Sequence, residues 1–85
     1  MVTCEAVVRA VAAGGWRAVC LCCADPTCTY PRCRELYRLL QGLPETRVTR
    51  GQPDVATDLA IVVEGCPASE MPRRKGVATL LLENS

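Results

Sequence analysis

The chain contains no histidine and no phenylalanine. The missing histidine takes away the commonest general base and the commonest metal ligand, so a hydrolytic triad is excluded and any bound metal must be held by cysteine or carboxylate. Charge of one sign is also scarce. Ten basic residues stand against nine acidic ones, a formal net charge of +1, which gives no long-range field to draw nucleic acid or acidic lipid. No aromatic residues are interleaved with the basic triplet Arg73-Arg74-Lys75 to stack a base, so nucleic acid is not an expected partner and the triplet reads as solvated loop. Long hydrophobic runs are absent too. The early apolar stretch is broken by Glu5, Arg9 and Arg17 and reaches no small-residue cleavage site, which excludes a membrane span and a signal peptide there. Gly14-Gly15 lacks the downstream glycines and lysine of a phosphate-cradling loop.

Cysteine is what the chain has in excess. Seven are present, at positions 4, 20, 22, 23, 28, 33 and 66, and an odd number cannot close a disulfide framework. Without a secretory signal, that usage points to free thiols in a reducing, cytoplasmic compartment. Nearly half of the residues are apolar and 22% are charged, a balance that can bury enough surface to offset conformational entropy. The length allows one domain, taken as residues 1–85.

Patterning predicts the elements. Cys4, Val7, Val8 and Val11 fall at i, i+3, i+4 and i+7, one stripe of a helix over residues 4–13, capped by Thr3 and stopped by Gly14-Gly15. Residues 17–23 are short and apolar, bounded by glycines before and Asp25-Pro26 after, and read as a strand. Pro31 opens a second helix whose buried stripe is Cys33, Leu36, Tyr37 and Leu40, ended by Gly42 and Pro44. Residues 46–50 alternate as a short strand. Residues 59–63 are apolar throughout, as in a central parallel strand covered on both faces, and residues 77–82 supply a last strand. The expected fold is a small α/β domain, a three- or four-stranded, mostly parallel sheet with two helices packed on it. If strands 17–23 and 59–63 run parallel side by side, their C-terminal ends share one edge, where open α/β sheets place binding crevices and where Cys23, Cys28 and Cys66 would meet.

Five cysteines are metal-ligand candidates: Cys20 and Cys23 at C-x-x-C spacing, Cys28 and Cys33 flanking the start of the second helix, and Cys66 after a strand-end glycine. Zinc suits them, being tetrahedral with sulfur ligands at roughly 2.3 Å and able to stabilise a small fold. Cysteine spacings of the ferredoxin types are absent, which puts an iron-sulfur cluster behind zinc. In a strand, however, Cys20 and Cys22 face one side and Cys23 the other, so either the strand ends early or only some of the three are ligands. A second reading is thiol redox or sulfur-handling chemistry. It centres on Cys33, whose position in a first helical turn beside Arg32 and Arg34 favours the thiolate, with Cys28 as resolving partner; burial on the apolar stripe acts against it. A third reading is a metal-free interaction domain, because buried cysteine behaves as a small hydrophobe, and Cys4 and Cys20 fit that role. Asp25 and Glu64 flank the expected crevice. Trp16 and Tyr37 read as core or interface residues. The leading expectation is a cysteine-ligated zinc module that works as a structural or protein-interaction domain, with a protein partner or self-association to cover its remaining apolar surface. No catalytic residue is assigned.

Overall fold

A computed structural model describes residues 3–25 and 28–83. Two helices and four strands follow one another as α1 (Cys4–Gly14), β1 (Ala18–Leu21), α2 (Pro31–Gln41), β2 (Arg47–Arg50), β3 (Leu59–Val63) and β4 (Ala78–Leu82). All four strands are parallel, in the order β2-β1-β3-β4. The fold is therefore a small α/β domain with a wholly parallel sheet, at the upper end of the expected strand number.

Local chemistry sets the helix ends. The Thr3 hydroxyl accepts the Ala6 amide at 3.1 Å, satisfying one of the donors that a helix start leaves open. Gly15 ends α1 in the left-handed region at φ 69°, where a side chain would be strained. Pro31 occupies the first turn of α2, where its missing N–H leaves no bond unmade. Gly42 ends α2 in a right-handed conformation, so there glycine acts through its low helix propensity rather than through a positive φ.

Alternation divides the sheet between two cores. Val19 and Leu21 of β1, Leu59, Ile61 and Val63 of β3 and Leu82 of β4 pack with Cys4, Val7 and Val11 of α1 and Cys33, Leu36 and Leu40 of α2. Cys20, Cys22, Ala60 and Val62 point the other way and form a smaller cluster with Val77 against it. Both helices therefore lie on one face. Loops cover the other face, and side chains bind them together. The Gln52 amide donates to Glu70 Oε2 at 3.3 Å and to the Met71 carbonyl at 3.2 Å, and Arg74 donates to the Thr57 carbonyl at 3.1 Å. Arg73 pairs with Glu70 at 3.1 Å. Arg74 thus ties two loops of the second face together, while the Arg73 side chain stays largely in solvent and pairs within its own loop.

β1 stops two residues before the predicted strand does. Cys22 still donates to the Ile61 carbonyl at 2.8 Å, but Cys23 donates back to Leu21, two residues earlier, at 2.8 Å. That tight reversal takes the chain out of the ladder. Pro26, the residue expected to break the strand, lies outside the described residues.

Candidate metal centre

Parallel pairing of β1 with β3, in the register Leu21 with Ile61, brings the ends of both strands to one edge of the sheet. Cys23 follows β1 there. Cys66 follows β3 after Gly65, whose φ of 94° makes a turn that a side chain would strain. Cys33 enters from the first turn of α2, and Cys28 from the segment leading into that helix. The four Sγ atoms of Cys23, Cys28, Cys33 and Cys66 all lie within 4.8 Å of one another, with Cys28 and Cys66 in sulfur contact at 3.4 Å. A tetrahedral ion bound to four sulfurs at about 2.3 Å needs them roughly 3.8 Å apart. Adjustments of under about 1 Å would close the four sulfurs on such an ion. A four-iron cube interposes iron atoms between the cysteine sulfurs and needs them farther apart than a single ion does.

Of the five cysteines expected from the sequence, the structure brings four together and leaves Cys20 apart. Cys20 is fully buried on the opposite face of the sheet, and its thiol donates to the Gly51 carbonyl at 3.6 Å. The reason is the period of the strand: Cys20 shares a face with Cys22, while Cys23 falls with Val19 and Leu21 on the side of the helices. Cys20 and Cys22 interact with each other. A hydrogen bond from Cys22, working against burial, lowers the Cys20 pKa to about 7, and the same contact raises that of Cys22. Cys4 is core in α1, with its thiol directed at the Arg32 carbonyl at 3.6 Å. Glu64 is exposed and outside the cluster, and Asp25 takes part through its backbone carbonyl, which accepts from the Cys23 thiol at 3.6 Å and the Cys28 amide at 3.1 Å.

The thiols of the cluster do not ionise alike. Burial, reinforced by hydrogen bonding to Cys66 and by the neighbouring sulfurs, pushes Cys33 far up. Burial on the stripe, the effect expected to act against a reactive thiol at the start of α2, is the largest cause of that rise. For Cys28, a backbone hydrogen bond from Tyr30 favours the thiolate, but burial and contacts with Cys66 and Cys23 together raise it. Cys66 moves the other way. Burial opposes its thiolate, yet the Ala68 amide and hydrogen bonds from Cys33, Cys28 and Ser69 outweigh that cost and bring it to about 7.

One residue beside the cluster carried no signal in the sequence. Arg50, at the end of β2, pairs in register with Leu21, so parallel pairing delivers its guanidinium to the same edge of the sheet. It donates to Cys23 Sγ at 3.7 Å and lies 4.8 Å from the centre of the Tyr37 ring. A cation stacked on an aromatic face and hydrogen-bonded to a sulfur is well placed to offset the negative charge that four thiolates gather around a divalent ion. Tyr37, expected to be core or interface, is the half-buried platform for that cation.

Comparison with protein-family models, with curated proteins and with solved structures found no match. Among the described residues, no helix is long and apolar enough to cross a membrane. What stands is a small, cysteine-rich α/β protein in which four cysteines lie close enough to hold a metal ion.

Proposed function

We propose that the chain is a small metal-binding module in which Cys23, Cys28, Cys33 and Cys66 hold one zinc ion, and that it serves as a structural or protein-interaction domain rather than an enzyme. The observation that carries this reading is the convergence of four thiols from four separate places in the fold within 4.8 Å. Chance packing of small hydrophobes has no need to point four sulfurs at one another. Four sulfur donors within 4.8 Å of one another suit zinc in a closed, four-coordinate site. A single iron in the same cage is the alternative ion. The chemistry such a centre supplies is fixation: it ties the ends of β1 and β3 to the start of α2, in a chain with limited core.

A second reading rests on Cys28 and Cys66, whose sulfurs are 3.4 Å apart and of which Cys66 ionises near neutrality. That pair can act as a reversible dithiol, with Cys66 as the attacking thiolate. Protein purified without air separates the two. About one zinc per chain, with four thiols unreactive until denaturation, supports the metal centre. Absence of metal, with rapid and reversible oxidation that links Cys28 to Cys66, overturns it in favour of the dithiol. A brown protein containing labile sulfide overturns both.

A further inference from the structure

The four thiols of the cluster differ in their access to water. Cys23, Cys33 and Cys66 are buried, whereas Cys28 is half-buried and lines a groove of about 800 Å³ that runs along α2. The same groove is walled by Arg34, Arg38 and Arg50, with Glu35 as its one acidic residue. Arg34 and Arg38 are adjacent on the helix surface at i and i+4, a spacing at which like charges oppose each other. Both are exposed, and neither forms an ion pair or a side-chain hydrogen bond with another described residue. Three guanidinium groups against one carboxylate leave this groove cationic although the whole chain is nearly neutral. Such a wall raises the local concentration of small anions, and here it does so beside half-buried Cys28, the least buried of the four ligands.

A divalent ion with four thiolates carries two negative charges, which repel an incoming thiolate and ordinarily slow ligand exchange. The arginine wall offsets that repulsion on the side of the cluster where Cys28, its least buried cysteine, meets the groove. We propose that the groove admits small anionic thiols and that Cys28 is the ligand they displace, which makes the four-cysteine centre an exchangeable metal site. The inference rests on the metal reading above, but not on the metal being zinc. In the exchange, the bond from the metal to Cys28 Sγ breaks as a bond to the incoming sulfur forms. The proton lost by the incoming thiol ends on Cys28, and no electrons are transferred. Cys23, Cys33 and Cys66 keep the ion in place while the fourth position turns over.

Two assays on the full chain test this. In metal-free protein, the rates at which Cys28 is alkylated by iodoacetate, an anion, and by iodoacetamide, its neutral counterpart, are measured with the product located by mass spectrometry. The ratio of the two rates is expected to fall by about fivefold or more in Arg34→Gln/Arg38→Gln, and to fall with added salt in the wild type. In zinc-loaded protein, mercaptosuccinate is expected to speed zinc transfer to a chelator more than mercaptoethanol does, and the double variant is expected to erase that difference. Both arginines are exposed, so circular dichroism of the variant should match the wild type. An unchanged alkylation ratio at Cys28 in the double variant overturns the groove. Equal transfer rates with the two thiols overturn the exchange. A chain that binds no metal defeats the metal reading and the exchange with it, while the alkylation ratio still decides whether the groove selects anions.

Discussion

Replacing Cys33 by alanine separates a ligand from a core residue, because Cys33 occupies both positions at once: it is fully buried on the α2 stripe and its sulfur belongs to the cluster. As a core residue it loses one buried heavy atom, worth about 1 kcal/mol by the transfer of a methylene-sized group, with some added cost for the small cavity. As a ligand it loses much more. Zinc held free at about a thousand times its dissociation constant stabilises the wild type by roughly 4 kcal/mol, and three remaining ligands forfeit most of that. For a domain of this size 1 kcal/mol shifts the melting temperature by roughly 4–8 °C. The substitution should therefore lower Tm by roughly 4–8 °C in chelator but by roughly 20 °C or more in buffered zinc. Cys20→Ala is the control, equally buried but on the other face of the sheet. Its loss should be the small one in both buffers. Thermal unfolding followed by circular dichroism gives all four values. If Cys33→Ala loses the same amount with and without zinc, the sulfur is packing material and the metal reading is wrong.

Arg50→Met removes the guanidinium that donates to Cys23 while keeping an apolar stem on Tyr37; zinc affinity, measured by competition with a chromophoric chelator, should fall roughly 10–100-fold, and no fall would show that this cation does not tune the centre. Zinc loading at pH 7.5 should release about two protons or more, since Cys28 and Cys33 are held in their protonated forms. Affinity should accordingly rise with pH, and titration in weakly buffered indicator, with release of less than one proton, would contradict the four-thiolate set. The raised pKa of Cys33 also governs the metal-free protein: stability from burying the neutral thiol is complete below the ordinary value of 9.0 and is lost as pH climbs toward the folded one. Stability of metal-free wild type should thus decline relative to Cys33→Ala above about pH 9, and parallel pH profiles by urea unfolding would refute the assignment. Leu36→Ala opens a cavity at a fully buried site between α2 and the sheet and should cost about 2–5 kcal/mol in urea unfolding, whether or not zinc is present.

Local chemistry made the elements legible. Thr3, Gly15 and Pro31 act within a few residues of themselves, and the stripes of α1 and α2 follow from a period that any stretch of sequence displays. The same holds for β3, whose unbroken apolar run is what burial on two faces requires. The strand period even separated Cys20 and Cys22 from Cys23, since opposite faces alternate along any strand. Strand order and register were not legible. They depend on contacts between residues far apart in the chain, and with them came the position of Arg50 relative to the cluster.

The sequence alone determined that this protein must use sulfur or carboxylate if it binds a metal and that it folds as a small α/β sheet with two helices, and it brought Cys23, Cys28 and Cys66 together only on the condition that strands 17–23 and 59–63 run parallel side by side. Composition and period suffice for those conclusions because they are properties of single residues and of short windows. Only the tertiary structure decided that Cys33 joins them and Cys20 does not, that burial pushes the Cys33 thiol up, and that Arg50 reaches Cys23 across the sheet edge. A site made of side chains from the segments that follow β1 and β3, from α2 and the segment before it, and from the end of β2 exists only when parallel pairing brings those ends together, and no local pattern encodes that meeting.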